Sequence, residues 1–190
     1  MKTSISLICG VLLTVFFSCF VCGCKSTDGA QAQSSCCGLW TTFRVRGYES
    51  AVEYRAGELP EYRLVIALGS LSDRGREEFL RGFRTAYFDA NDGPRGQRYA
   101  EVLKQALEGG HYEEAIVQGR KYVSGETTDS RVQGLISGSV GLSRGSDLGW
   151  KAGYIAGFAR EMAKQRSGLE ENFYRQAETK YNALRSPLGV

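Results

Sequence analysis

The chain is poor in the residues from which compact active sites are usually assembled. Among its 190 residues there is one histidine, His111, so no site can use two of them, and HExxH zinc hydrolases are excluded. No cysteine follows Cys37, which leaves the folded part without a disulfide framework. A large excess of one sign of charge is also missing. The 24 Lys and Arg stand against 21 Asp and Glu, and a net charge of +3 is too small and too scattered for a nucleic-acid surface. There is no GxxxxGK[ST] phosphate loop and no G-x-S-x-G elbow. What is present is ordinary: 42% apolar residues, which argues against wholesale disorder, and enough length for one domain with a real core.

The first residues read MKTSISLICGVLLTVFFSCFVCGC. Lys2 supplies a positive start, residues 5–21 carry no charge, and small residues follow. That is the pattern of a secretory signal. An uncleaved anchor is the alternative, because the run sits at the lower length limit of a spanning helix. Val21-Cys22-Gly23-Cys24 resembles the lipobox of bacterial lipoproteins: an aliphatic residue, a small one, Gly or Ala, then Cys. The resemblance implies that residues 1–23 are removed and that Cys24 becomes a diacylglyceryl-linked N-terminus. Residues 24–37 then read as a lipidated end and flexible tether, and residues 38–190 as the folded domain. Cys36 and Cys37 fall at the end of the tether, in an oxidising compartment. They are candidates for a local or intermolecular disulfide, or for a second acylation.

From Gly38 onward the apolar period is mostly helical. Residues 39–48 (LWTTFRVRGY) are the exception; aromatic and β-branched, they read as a short strand or an extended lead-in. A short helix around Tyr48, Ala51, Val52 and Arg55 stops near Gly57. Pro60 suits the first turn of the next helix, with Tyr62, Val65, Ile66 and Gly69 along one side. Ser72 or Asp73 is a natural N-cap, and Phe79, Leu80, Phe83, Ala86 and Tyr87 share one face of the helix that follows. Residues 89–94 form a turn. Tyr99, Val102, Leu103, Ala106 and Leu107 make another face, and Gly109-Gly110 ends it. Tyr112, Ala115, Ile116, Tyr122 and Val123 make a third. The last helix covers residues 169–185, with Phe173, Tyr174, Ala177, Tyr181 and Leu184 inward, and Pro187 stops it. The expectation is a mainly α fold, one domain of about five to seven helices.

Two segments look alike. Ser72-Asp73-Arg74-Gly75 leads to Phe79-Leu80-Arg81-Gly82-Phe83, and Ser146-Asp147-Leu148-Gly149 leads to Tyr154-Ile155-Ala156-Gly157-Phe158. Either a helical hairpin is duplicated or similar caps and packing pairs arose independently; two copies do not make a solenoid.

The most specific feature is a ladder of glycines at 134, 138, 141, 145, 149, 153 and 157. At steps of three or four they trace one helical stripe. Each costs a helix about 1 kcal/mol relative to Ala, a loss that close approach of another backbone can offset. Arg144, Asp147 and Lys151 interrupt the stretch and argue against a spanning glycine zipper, since a charge at mid-bilayer costs about 2.5–3.5 kcal/mol. Two readings stay open for Gly138, Gly141, Gly145, Gly149, Gly153 and Gly157, with Trp150, Tyr154 and Phe158 beside them: a seam inside the domain, or a seam with another chain. A break at residues 145–147, with Ser146 capping a new helix, fits the first.

Other candidates for chemistry have plainer readings. Asp89-Ala90-Asn91-Asp92-Gly93 misses the calcium-loop spacing and reads as a turn. The Glu pairs at 77/78, 113/114 and 170/171 lie near helix starts, where acidic residues favour the dipole. His111 follows Gly109-Gly110 at a helix start. The arginines of the first half alternate with glutamates and make a mixed, solvated surface. No catalytic group, metal site or cofactor is expected.

The expected function is therefore protein–protein interaction at a membrane surface, through the lipid anchor. Lys25, directly after Cys24, is not the Asp that often signals inner-membrane retention, which favours the outer membrane. On the lipobox, Ala86-Tyr87-Phe88-Asp89 and the glycine stripe, the chain is loosely similar to plasmid surface-exclusion lipoproteins. Those block redundant DNA transfer by contacting the conjugation apparatus. A structural or assembly lipoprotein of an envelope complex, self-associating through the seam, and a periplasmic inhibitor or immunity protein are the alternatives. The expected partners are the membrane and an unknown envelope protein or a second copy, and not nucleic acid.

Overall fold

The structure, a computed structural model, describes residues 32–139 and 143–186. Among the described residues there are eight α-helices and no strand, one more helix than the upper end of the expected range. They form one compact helical domain, with a single cluster of buried residues running through all eight.

Helix α1, Ala32–Ala56, is the main departure from expectation. It begins inside the stretch expected to be a flexible tether, and residues 39–48 are helical, not extended. The β-branched and aromatic residues that signalled a strand are divided between two helix faces. Ala51 is buried, Trp40 and Phe43 are half-buried, and Val45 and Tyr48 are exposed. Local β preference is weak and yields to packing; here the packing is a long crossing with α3.

Helix α2, Glu61–Gly69, starts after Pro60 and buries Tyr62, Leu64, Val65 and Leu68. In α3, Asp73–Asp89, Ser72 is the N-cap and its hydroxyl accepts the Gly75 N–H at 3.3 Å. The face predicted from Phe79, Leu80, Phe83, Ala86 and Tyr87 is buried. Asn91, with φ 58°, turns the chain into α4, Gly93–Leu107. Gly109 and Gly110, with φ of 77° and 78°, turn it again into α5, His111–Val123. Both glycines occupy the left-handed region that other residues avoid. Helix α6, Asp129–Ser139, contributes Val132 and Ile136 to the core. The last helix, α8, Glu171–Arg185, buries Ala177, Tyr181 and Leu184.

Helix α7, Arg144–Arg166, is the central element and packs against α2, α4, α5, α6 and α8. Its start differs from expectation by one turn. Ser143, not Ser146, is the N-cap; its hydroxyl accepts the Ser146 N–H at 3.0 Å. The chain thus enters the helix before Gly145, which a strong cap with an acidic residue in the first turn permits. Ser167, with φ 51°, closes the far end.

Candidate interaction surfaces

The glycine ladder divides in two. On α7, a Cβ at Gly149 would collide with the Ala106 carbonyl oxygen, at Gly153 with that of Tyr112, and at Gly157 with that of Ile116. One at Gly145 would come within 2.6 Å of the Gln105 Cβ. These four glycines bring the α7 backbone against α4 and α5. Trp150, Tyr154 and Phe158 beside them are buried in the same core. Gly134 and Gly138 are different: they lie on α6 with nothing within 4 Å of an added Cβ. Gly141 and Cys24 lie outside the described residues. Cys36 and Cys37 are consecutive positions of the α1 backbone, where an unstructured tether was expected.

A second glycine crossing escaped the sequence reading. A Cβ on Gly47 of α1 would meet the Phe79 carbonyl of α3, and one on Gly82 of α3 would meet the Arg44 carbonyl of α1. The α5–α7 pair repeats this reciprocal arrangement, with Gly119 on the Tyr154 carbonyl and Gly157 on the Ile116 carbonyl. In each helix the glycine follows the residue whose carbonyl faces the partner by three positions. The likeness between residues 79–83 and 154–158 is therefore a likeness of crossing geometry. It does not extend to the caps: Ser72 caps α3, whereas Ser146 lies inside the first turn of α7. The signal available was an isolated glycine in each of two segments, Gly47 in the stretch read as extended and Gly82 in a helical pattern.

A groove of about 570 Å³ lies between α1, α2, α5, α7 and α8. Its charges are in part paired. Arg63 reaches Glu171 at 3.5 Å and lies over the Tyr174 ring, and Arg160 donates to Glu170 at 3.3 Å. Burial pushes the Tyr112 phenol in its floor up to about 12. Elsewhere, Lys180 donates to Asp129 at 3.0 Å while lying over Tyr122, and its hydrogen bond holds that carboxyl below the usual range. Glu78 is held low mainly by the hydrogen bond from Arg44 at 2.7 Å, which ties α1 to α3. Of the Glu pairs, 77/78 lies one turn into α3, 113/114 lies in the first turn of α5, and Glu170 and Glu171 flank the start of α8. His111 is the half-buried first residue of α5. Among the described residues no group of three or more His, Cys, Asp or Glu could hold a metal ion, and no helix is long and apolar enough to cross a membrane.

Exposed apolar side chains mark a different surface. Val45, Tyr48 and Val52 follow one another along the outer side of α1, at 49%, 37% and 46% exposure. Val45 and Val52 point away from Gly47, which lies against α3, while Tyr48 sits at the edge of that crossing, its backbone N 3.0 Å from where a Cβ on Gly82 would be. In Ala86-Tyr87-Phe88-Asp89, Ala86 and Tyr87 are core, while Phe88 is 74% exposed and Asp89 is exposed beside it. Comparison with known proteins finds no matching family model, no matching curated protein and no matching solved structure.

Proposed function

We propose that the chain is a lipid-anchored protein of the bacterial cell envelope, outer membrane favoured, that acts through protein–protein contact and not catalysis. The observation that carries this reading is the uncharged run of residues 5–21 closing on Val21-Cys22-Gly23-Cys24. Only residues 25–31 separate Cys24 from the start of α1. At about 3.5 Å per residue that spacer spans at most ~25 Å, so an acylated Cys24 would keep the helical domain against the bilayer surface. Two or more acyl chains on one residue give a firm hold where a single chain gives only a marginal one.

Surface exclusion, with Phe88 and Asp89 on the exposed side of its motif, is one role within this class. Scaffolding of an envelope complex is the other, and the exposed Val45, Tyr48 and Val52 favour it. The test of the anchor is the intact mass of the protein extracted from membranes, beside a Cys24→Ala form. The expected result is a chain beginning at residue 24 with added acyl mass, absent from the variant. A chain beginning at Met1 would mean an uncleaved anchor, and a cleaved chain without lipid a free domain; either sinks the proposal.

A further inference from the structure

The outer side of α1 carries a heptad register. With Val45 at a, Tyr48 is d and Val52 the next a; Thr41 is the preceding d. These are exposed positions, and Val45, Tyr48 and Val52 present apolar side chains to solvent. The side of the helix at Gly47 and Ala51 packs against α3; it lies far round the helix from Val45 and adjoins Tyr48. A second helix can approach from the side of Val45 and Val52, with Tyr48 at the edge nearest α3. The seam has a defined end: Arg55, at the following d, donates to the Ala86 carbonyl at 3.4 Å and covers the Tyr87 ring.

We infer that this face pairs with the same face of a second copy, as a short parallel two-helix seam. Three features select that occupant. Val45 and Val52 supply the β-branched a positions of a two-stranded parallel coil, with Tyr48 where such coils usually carry Leu. In the same register Arg44 is g and Glu49 is the e five residues on, the charge pair that crosses a parallel seam. Glu49 has no ion pair among the described residues, and Arg44 uses Nε and Nη2 on Glu78, leaving Nη1 for a further acceptor. Third, and here the inference rests on the anchored reading above, two chains held by Cys24 in one membrane present their α1 helices in the same direction. The seam is short, so association in dilute solution is weak. Confinement to one surface raises the effective concentration enough to populate it.

The test uses the full chain in its own membranes, with Cys36→Ser and Cys37→Ser to remove the nearby thiols. Val45→Cys and Val52→Cys are introduced singly and oxidised, and the background chain sets the blank. The expected result is a covalent dimer at 45–45′ and at 52–52′, reduced at least tenfold when Val52→Asp is added to the Val45→Cys chain. Circular dichroism of each variant should match the parent, since these positions are exposed. Failure of both cysteines to give dimer above the blank overturns the pairing. So does a preference for 45–52′ between differently tagged chains, which would make the seam antiparallel, or an adduct with another protein in place of the dimer. Intact mass of the same preparation separates the two proposals. Dimer from a chain without acyl mass supports the pairing and overturns the anchor; acylated chain without dimer does the reverse.

Discussion

A glycine inside a helix has opposite meanings depending on what faces it. At Gly82, Gly119 and Gly157 the hydrogen that replaces a side chain lies against a carbonyl of the crossing helix. Adding a methyl group there forces two backbones apart, and no side chain can yield to relieve it. Gly119→Ala, Gly157→Ala and Gly82→Ala are each expected to destabilise the domain by about 1–3 kcal/mol, the range for overpacking a tight core. Gly134→Ala, on an open helix surface, is expected to stabilise by up to about 1 kcal/mol. Urea-denaturation midpoints compare the four directly. A uniform response across them would mean that the close crossings do not exist. Sequence spacing alone joins Gly134 and Gly157 in one ladder. The break before Arg144 separates them, and only the identity of the facing atoms reveals it.

The buried faces of α3, α4, α5 and α8 were legible because each helix is amphipathic, and Ser72, Asn91, Gly109 and Gly110 marked the cap of α3 and the turns before α4 and α5. Helix α1 was legible only in its last turns, around Tyr48, Ala51, Val52 and Arg55 with the stop near Gly57; the helical state of residues 39–48 is set by packing on α3 and not by their own composition. Gly47 looks like a helix breaker until the Phe79 carbonyl is placed against it. The start of α7 was misplaced for a related reason. Ser143 and Ser146 are both good caps, and the packing of Gly145 against Gln105 selects the earlier one. This gives a prediction at the level of the element. Ser143→Ala should cost about 1 kcal/mol, as loss of an N-cap does, whereas Ser146→Ala removes only a 3.0 Å hydroxyl contact and should cost a few tenths of a kcal/mol at most. Equal losses in denaturation midpoint would return the cap to Ser146. The α1 seam was legible in part: Val45, Tyr48 and Val52 stand in the sequence at heptad spacing, but whether they face α3 or solvent depends on the crossing.

The tyrosines tie these local features to the behaviour of the whole domain. Tyr154 and Tyr181 are fully buried, their rings 5.7 Å apart, with neither hydroxyl hydrogen-bonded among the described residues. Burial raises both phenols, and it raises Tyr62 and Tyr112 to about 12. An unfolded tyrosine titrates near 10. Above that pH the folded state therefore holds protons that the unfolded state has released, and stability falls as pH rises. The contribution of these groups is complete below about pH 10 and is lost progressively between about 10 and 12 and beyond. The residues concerned sit on α2, α5, α7 and α8, which share one core, so the loss cannot be confined to a single helix. Raising the pH from 9 to 12 should thus give one cooperative transition, with tyrosinate absorbance and helical circular dichroism changing together. Tyr62→Phe and Tyr112→Phe should each move that transition to higher pH, because each removes an ionisation that only the unfolded chain makes easily. If tyrosinate formed gradually while the helical signal stayed constant, these phenols would have to be open to solvent, and the packing of α7 against α2, α5 and α8 would need to be redrawn.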